Sequence, residues 1–276
     1  MRKLSKKNIR NIVIKLGTSV LTKNGRFDET VIEKLAGELT PFLKRRVHVT
    51  IVSSGAIGAG MTILKQRKRP KSMEGLQAAA AVGQRHLMQC WQAAFWRHKY
   101  STAQVLLTRD DLHVKSKRYL NAKNTLKEIQ RRGLVPIVNE NDTVATDEIR
   151  FGDNDYLSAL ISILMEADAL IILSDTDGYR DSKGRRIPEV SKITPVIWQY
   201  AKHRVTDHTR GGIRSKLQAV EKCMLSGIPV MLANGRDANV IDRVLTKKDL
   251  GTYFSSSPNK RKNWIRHFVN HIQVKK

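Results

Sequence analysis

Six short aliphatic runs alternate with helical stretches along this chain, and that alternation restricts the fold more than any other feature. The runs cover 11–16, 47–52, 103–107, 134–139, 169–174 and 228–233. Apolar residues at helical spacing occupy 28–45, 74–96, 118–132, 154–166 and 212–226. Strands joined by crossovers of that length pack as a mostly parallel sheet covered by helices on both faces. The expected fold is therefore α/β, a three-layer αβα sandwich. Asp28 is placed to cap the first helix. No linker divides 8–258, so these residues are expected to form one domain. Residues 65–71 read as a basic, proline-containing loop, and 259–276 as a basic tail with six Lys/Arg and no acid.

Composition removes several alternatives. With 276 residues, 41% of them hydrophobic, the chain is long enough to bury a large core. Its two cysteines, Cys90 and Cys223, can form neither a disulfide framework nor a four-thiolate zinc site, which fits a reducing, cytoplasmic setting. No apolar run approaches the roughly 18–20 residues that span a bilayer, so no membrane partner is expected. The first ten residues carry Arg2, Lys3, Lys6, Lys7 and Arg10 without an apolar core, unlike a secretory signal. Fifty Lys and Arg against 25 Asp and Glu give a net charge of +25. Such a field attracts nucleic acid, anionic lipid or a phosphorylated substrate alike. Aromatic residues are only 6%, with no basic–aromatic stacking motif, so nucleic acid is not the expected main partner.

Ligands of parallel α/β sheets gather at the carboxyl ends of the strands, and three strand ends here carry chemistry. The first is Lys15-Leu-Gly-Thr-Ser19, an ammonium beside a glycine turn; it suits an anion, or is a surface lysine next to a turn. The second is Ser53-Ser-Gly-Ala-Ile-Gly-Ala-Gly60, whose small residues admit either a ligand or close helix–strand packing. The third is the densest: Asn139-Glu-Asn-Asp142, followed by Asp153-Asn-Asp155 at a helix start. Seven carboxylates and carboxamides beside buried strands exceed what packing needs. They can hold an ammonium group, bind Mg²⁺ or orient lysines. Ser174-Asp-Thr-Asp-Gly178 could meet a nucleotide, and Gly211-Gly-Ile-Arg-Ser-Lys216 opens a helix with a second cation.

Taken in order, these segments resemble the amino-acid kinase family across roughly residues 10–266. The motifs are Val13-Ile-Lys-Leu-Gly-Thr-Ser-Val-Leu-Thr22, Val52-Ser-Ser-Gly-Ala-Ile57, Leu107-Thr-Arg-Asp-Asp-Leu112 and Arg118-Tyr-Leu-Asn-Ala-Lys-Asn-Thr125. To these are added Pro136-Ile-Val-Asn-Glu-Asn-Asp-Thr-Val-Ala-Thr146 and Gly152-Asp-Asn-Asp-Tyr-Leu-Ser-Ala159. The resemblance is strongest to members that phosphorylate the γ-carboxylate of L-glutamate with ATP and Mg²⁺, the first step toward proline. It implies that Lys15, Asp155 and Lys216 are catalytic, with Asp155 organising the two lysines. It implies glutamate binding by Ser54, Asp142 and Asn154; the pairing of Asp142 with the substrate ammonium is inferred from charge. It further implies ATP contacts from Lys15, Gly17, Ser174, Asp175, Arg210, Gly211, Gly212 and Lys216. A homo-oligomer, dimer or tetramer, and proline as feedback inhibitor follow from the same resemblance.

Two loops depart from the family pattern. Thr209-Arg-Gly-Gly-Ile213 replaces Gly-Thr-Gly-Gly-Met, so Arg210 either adds a phosphate contact or crowds the loop. Residues 179–185 also differ. The C-terminal PUA domain of many members is not expected here. The competing readings are a nucleotide-binding regulator with little turnover, a kinase of another acceptor and, more weakly, nucleic-acid binding by the basic surface.

Overall fold

The structure, a computed structural model, describes residues 9–23, 26–114, 116–145, 154–202, 212–246 and 250–256. The strands are β1 (Asn11–Leu16), β2 (Thr22–Lys23), β3 (Arg26–Phe27), β4 (His48–Ser53), β5 (Thr102–Leu107), β6 (Val135–Glu140), β7 (Ala169–Ser174), β8 (Glu189–Val190), β9 (Val230–Asn234) and β10 (Thr252–Phe254). The helices are α1 (Thr30–Lys44), α2 (Ala56–Ile63), α3 (Met73–Trp96), α4 (Lys117–Arg131), α5 (Asn154–Leu164), α6 (Pro195–Lys202), α7 (Ile213–Leu225) and α8 (Val240–Thr246).

Eight strands form one sheet in the order β5-β6-β4-β1-β7-β9-β10-β8. The first six run parallel, and β10 returns antiparallel to β9. Side chains of a strand alternate between faces, and β1 divides accordingly. Ile12, Ile14 and Leu16 join the core under α1, α3 and α8. Val13 belongs to the opposite core, with α4, α5 and α7. The mostly parallel, three-layer α/β architecture is thus as expected from the sequence. Lys15 lies two residues beyond Val13, so the pleat turns it toward α5. No helix among the described residues is long and apolar enough to cross a membrane.

Several details differ from the sequence reading. The N-cap of α1 is Glu29, without a side-chain bond, rather than Asp28. The Asp28 carboxylate accepts from Thr30 Oγ1 at 2.6 Å and pairs with Arg236 at 3.2 Å, tying the start of α1 to the loop after β9. The β2–β3 hairpin, α6, α8, β8 and β10 were not anticipated. The glycines after β4 divide by role. Gly55 takes φ +105° at the head of α2, a conformation natural only to glycine. A Cβ on Gly60 would lie 1.8 Å from the Ala79 carbonyl oxygen of α3, so this glycine serves helix packing. The tail 259–276 lies outside the described residues.

Candidate active site

The central strands β6, β4, β1 and β7 all point their carboxyl ends the same way. Asn139, Ser53, Lys15 and Ser174 therefore stand in a row along one edge, with the N-terminus of α5 laid over them. Asp155, in the first turn of α5, is fully buried. Its Oδ1 meets Lys15 Nζ at 2.5 Å, and its Oδ2 meets Lys216 Nζ at 3.1 Å and accepts from Ser215 Oγ at 3.0 Å. Burial alone would raise this carboxyl, but the charges of Lys15 and Lys216 outweigh it and hold Asp155 well below the usual carboxylate range. One carboxylate thus fixes two ammonium groups, and the trio carries a net positive charge suited to a polyanion.

Asn154, the preceding residue, is the centre of a second network. Its Nδ2 donates to Asn139 Oδ1 at 2.8 Å, to Ser54 Oγ at 3.0 Å and to the Ser53 carbonyl at 3.2 Å. Asn139 Oδ1 also accepts from the Glu140 backbone N–H at 2.9 Å, and Asn139 Nδ2 donates to Gln84 Oε1 at 2.8 Å. A backbone N–H can only donate. This fixes the orientation of Asn139, and through it that of Gln84. Among the described residues, Gln84 Nε2 is buried without a hydrogen-bond partner. Gln84 also lines a cleft of about 1030 Å³ together with Glu140, Asn141 and Asp142. Sequence reasoning missed Gln84, because a glutamine within the helix 74–96 has no local signal; only the chain of carboxamides exposes it.

Asp142 sits on the cleft wall after β6. Burial pushes its carboxyl up to about 6, with the charge of Arg69 pulling back. Lys15, Asp155 and Lys216 do not line this cleft; the Asn139–Asn154–Ser54 chain lies between the two regions.

The remaining candidates are more scattered. Ser174 is buried at the end of β7 and donates to Asp175 Oδ1 at 3.0 Å, while Asp175 is exposed. The Gly17 backbone N–H bonds Leu173 O at 3.0 Å, so it serves the sheet. A Cβ at Gly17 would stand 3.7 Å from Lys15 Nζ. Gly212 is exposed at the start of α7, one turn before Lys216; Arg210 and Gly211 lie outside the described residues. In the divergent 179–185 loop, Tyr179 is a core residue whose hydroxyl bonds Ile197 O at 2.5 Å. Arg180 pairs with Asp177, just before the loop, at 2.8 Å, and Arg185 with Asp181, inside it, at 2.9 Å, so both charges have local partners.

Residues 10–234 match the amino acid kinase family. A glutamate 5-kinase of Nitrosococcus oceani is 42% identical over 253 residues, covering 89% of this chain and 67% of that protein. One from Carboxydothermus hydrogenoformans is 41% identical over 271 residues, covering 95% and 72%. Among solved structures, N-acetylglutamate synthase from Neisseria gonorrhoeae, complexed with coenzyme A and L-arginine, aligns with a TM-score of 0.63 at 14% identity. It covers 91% of this chain and 63% of that one, a likeness of fold.

Proposed function

The chain belongs to the amino acid kinase family, and we propose that it transfers the γ-phosphoryl group of ATP to the γ-carboxylate of L-glutamate, giving γ-glutamyl phosphate. The observation that carries this reading is the buried Lys15–Asp155–Lys216 trio, in a chain about 41% identical to glutamate 5-kinases over most of its length. A carboxylate attacking a polyanion needs charge neutralisation and alignment rather than a base, because it is already ionised at pH 7. Lys15 would neutralise the transferring phosphoryl oxygens, and Lys216 the nucleotide phosphates. Asp155 would keep both ammonium groups aimed in advance. The nucleophilic γ-carboxylate oxygen forms the new P–O bond as the bond to the ADP oxygen breaks.

Both Asp155 oxygens face ammonium groups, and in this reading Mg²⁺ would be carried by the nucleotide phosphates and supply further neutralisation. Ser54, Asn154 and Asp142 would hold the amino acid, with Gln84 Nε2 donating to one of its oxygens. Ser174, Asp175, Gly212 and the 209–213 loop would meet the nucleotide. A homo-oligomer, and proline competing at the amino-acid site, belong to the same proposal.

The test is ATP-dependent γ-glutamyl hydroxamate formation from L-glutamate, Mg²⁺ and hydroxylamine, with aspartate and N-acetylglutamate as parallel acceptors. Product from glutamate alone is expected. ATP binding without product from any acceptor would replace the proposal with a nucleotide-binding regulator.

A pH dependence follows from Asp142. Its carboxyl, raised to about 6 by burial, must be ionised to pair with the substrate ammonium. The KM for glutamate is expected to rise as pH falls below about 6, approaching tenfold per pH unit, while the KM for ATP moves far less. A glutamate KM that stays flat from pH 7.5 to about 5 would remove Asp142 from this role. In the same assay Gln84→Leu is expected to raise the glutamate KM with little change in kcat, and an unaltered KM would exclude Gln84.

A further inference from the structure

On the α1–α3 side of the sheet, Glu29, His86 and Cys90 bring three different donor atoms together, all within 4.8 Å of one another. The sequence builds this cluster in two steps. His86 and Cys90 are four apart on α3, so they share one face. Glu29, at the head of α1, comes up against that face because α1 and α3 cover the same side of the sheet. His86 Nε2 lies 2.9 Å from Glu29 Oε1 and 3.8 Å from Cys90 Sγ. A cation held at ordinary zinc–ligand lengths needs tetrahedral donors about 3.3–3.6 Å apart, and the two measured separations bracket that range.

We propose that Glu29, His86 and Cys90 form a binding site for a borderline-soft divalent cation of the zinc type, separate from the kinase site. One thiolate, one imidazole and one carboxylate are the three ligand types zinc accepts, and two of them bring negative charge to balance the ion. Their burial is graded. Cys90 is buried, the His86 side chain is 31% exposed and that of Glu29 54% exposed, so a cation enters from the Glu29 side and keeps a position for water. The Phe27 ring packs edge-on against His86 and fixes its plane. An ion here would bind the start of α1 to the middle of α3. Phe27 also packs beside Gly55, which follows Ser54, so occupancy would bear on the amino-acid side of the active site.

Cobalt makes the test specific, because thiolate-to-cobalt charge transfer reports sulfur ligation and the chain has only two cysteines, Cys90 and Cys223. Cys223 is fully buried in the opposite core. Full-length protein stripped with a chelator and titrated with Co²⁺ is expected to develop the charge-transfer band together with tetrahedral visible bands. Both should saturate at one ion per chain and be displaced by Zn²⁺. Cys90→Ser should lose the charge-transfer band, Cys223→Ser should keep it, and His86→Gln should weaken Zn²⁺ binding by more than the ~10–100-fold that loss of an outer-sphere partner costs. Absence of the band in the wild type, or its persistence in Cys90→Ser, overturns the proposal and leaves a His86–Glu29 contact beside a buried thiol.

Discussion

Asp155→Ala is expected to lower turnover by at least about a hundredfold, the scale seen when one preorganised charge-stabilising group is removed. It is also expected to destabilise the fold by about 3–5 kcal/mol, because removal of one partner leaves buried charge uncompensated. The geometry sets both effects. Lys15 is 3% exposed and the Lys216 side chain 12% exposed, so without Asp155 one deeply buried and one partly buried ammonium group face each other. Asp155→Asn separates the two consequences. The amide keeps the volume and can still accept from one lysine, so it should destabilise less than the alanine, while the lysines lose their counter-charge just as fully. The measurement pairs hydroxamate formation with a urea melt. Wild-type turnover in a folded Asp155→Asn protein would remove Asp155 from the mechanism. The stability term has a direction in pH. The Asp155 carboxyl is held below its unfolded value, so its contribution is complete above the unfolded carboxylate pKa of about 3.9 and is lost as pH falls below that toward the folded value. Acid melts of wild type and Asp155→Ala should therefore begin to converge below about pH 4 and meet only near the folded value of about 2.

How far the site was legible depended on where its groups lie along the chain. The six parallel strands follow from aliphatic runs, and buried central strands must be apolar on both faces. β8 and β10 are two and three residues long and lie at one edge of the sheet, too short to carry a period. Lys15, Asn139 and Asn154 stood out because polar groups at the ends of apolar strands and helices need a reason. Ser215 and Gln84 did not: each lies inside an ordinary helical stretch and gains meaning only from a partner distant in sequence. At the Lys15–Ser19 turn the sequence does not say which amides are free, and the register of β1 against β7 gives the Gly17 amide to Leu173. For the glycines at 55, 58 and 60, sequence left ligand contact and helix–strand packing equally open; at Gly60 the close approach is instead helix on helix, α2 against α3.

That approach yields the second large effect, one whose sign opposes helix propensity. Gly83 lies inside α3, where exchange for alanine in an isolated helix would stabilise by about 1 kcal/mol. Here an added Cβ would stand 1.8 Å from the Ala56 carbonyl oxygen and 2.2 Å from the Gly60 backbone nitrogen, both main-chain atoms of α2 that cannot rotate aside. The two helices must part, and overpacking of this kind costs about 1–3 kcal/mol or more. Gly83→Ala is therefore expected to lower the melting temperature by several degrees. Gly37, inside α1, is the control, because its added Cβ would meet only His98 Nε2, at 3.8 Å. Gly37→Ala should hold or raise the melting temperature. Function separates the two further. α2 begins two residues after Ser54, which shares the Asn154 carboxamide with Asn139, so parting α2 from α3 should raise the glutamate KM in Gly83→Ala and leave it unchanged in Gly37→Ala. A Gly83→Ala protein that melts at or above wild type would show that α2 and α3 do not meet through bare backbone, and Gly60 and Gly83 would then have to be explained by something other than packing.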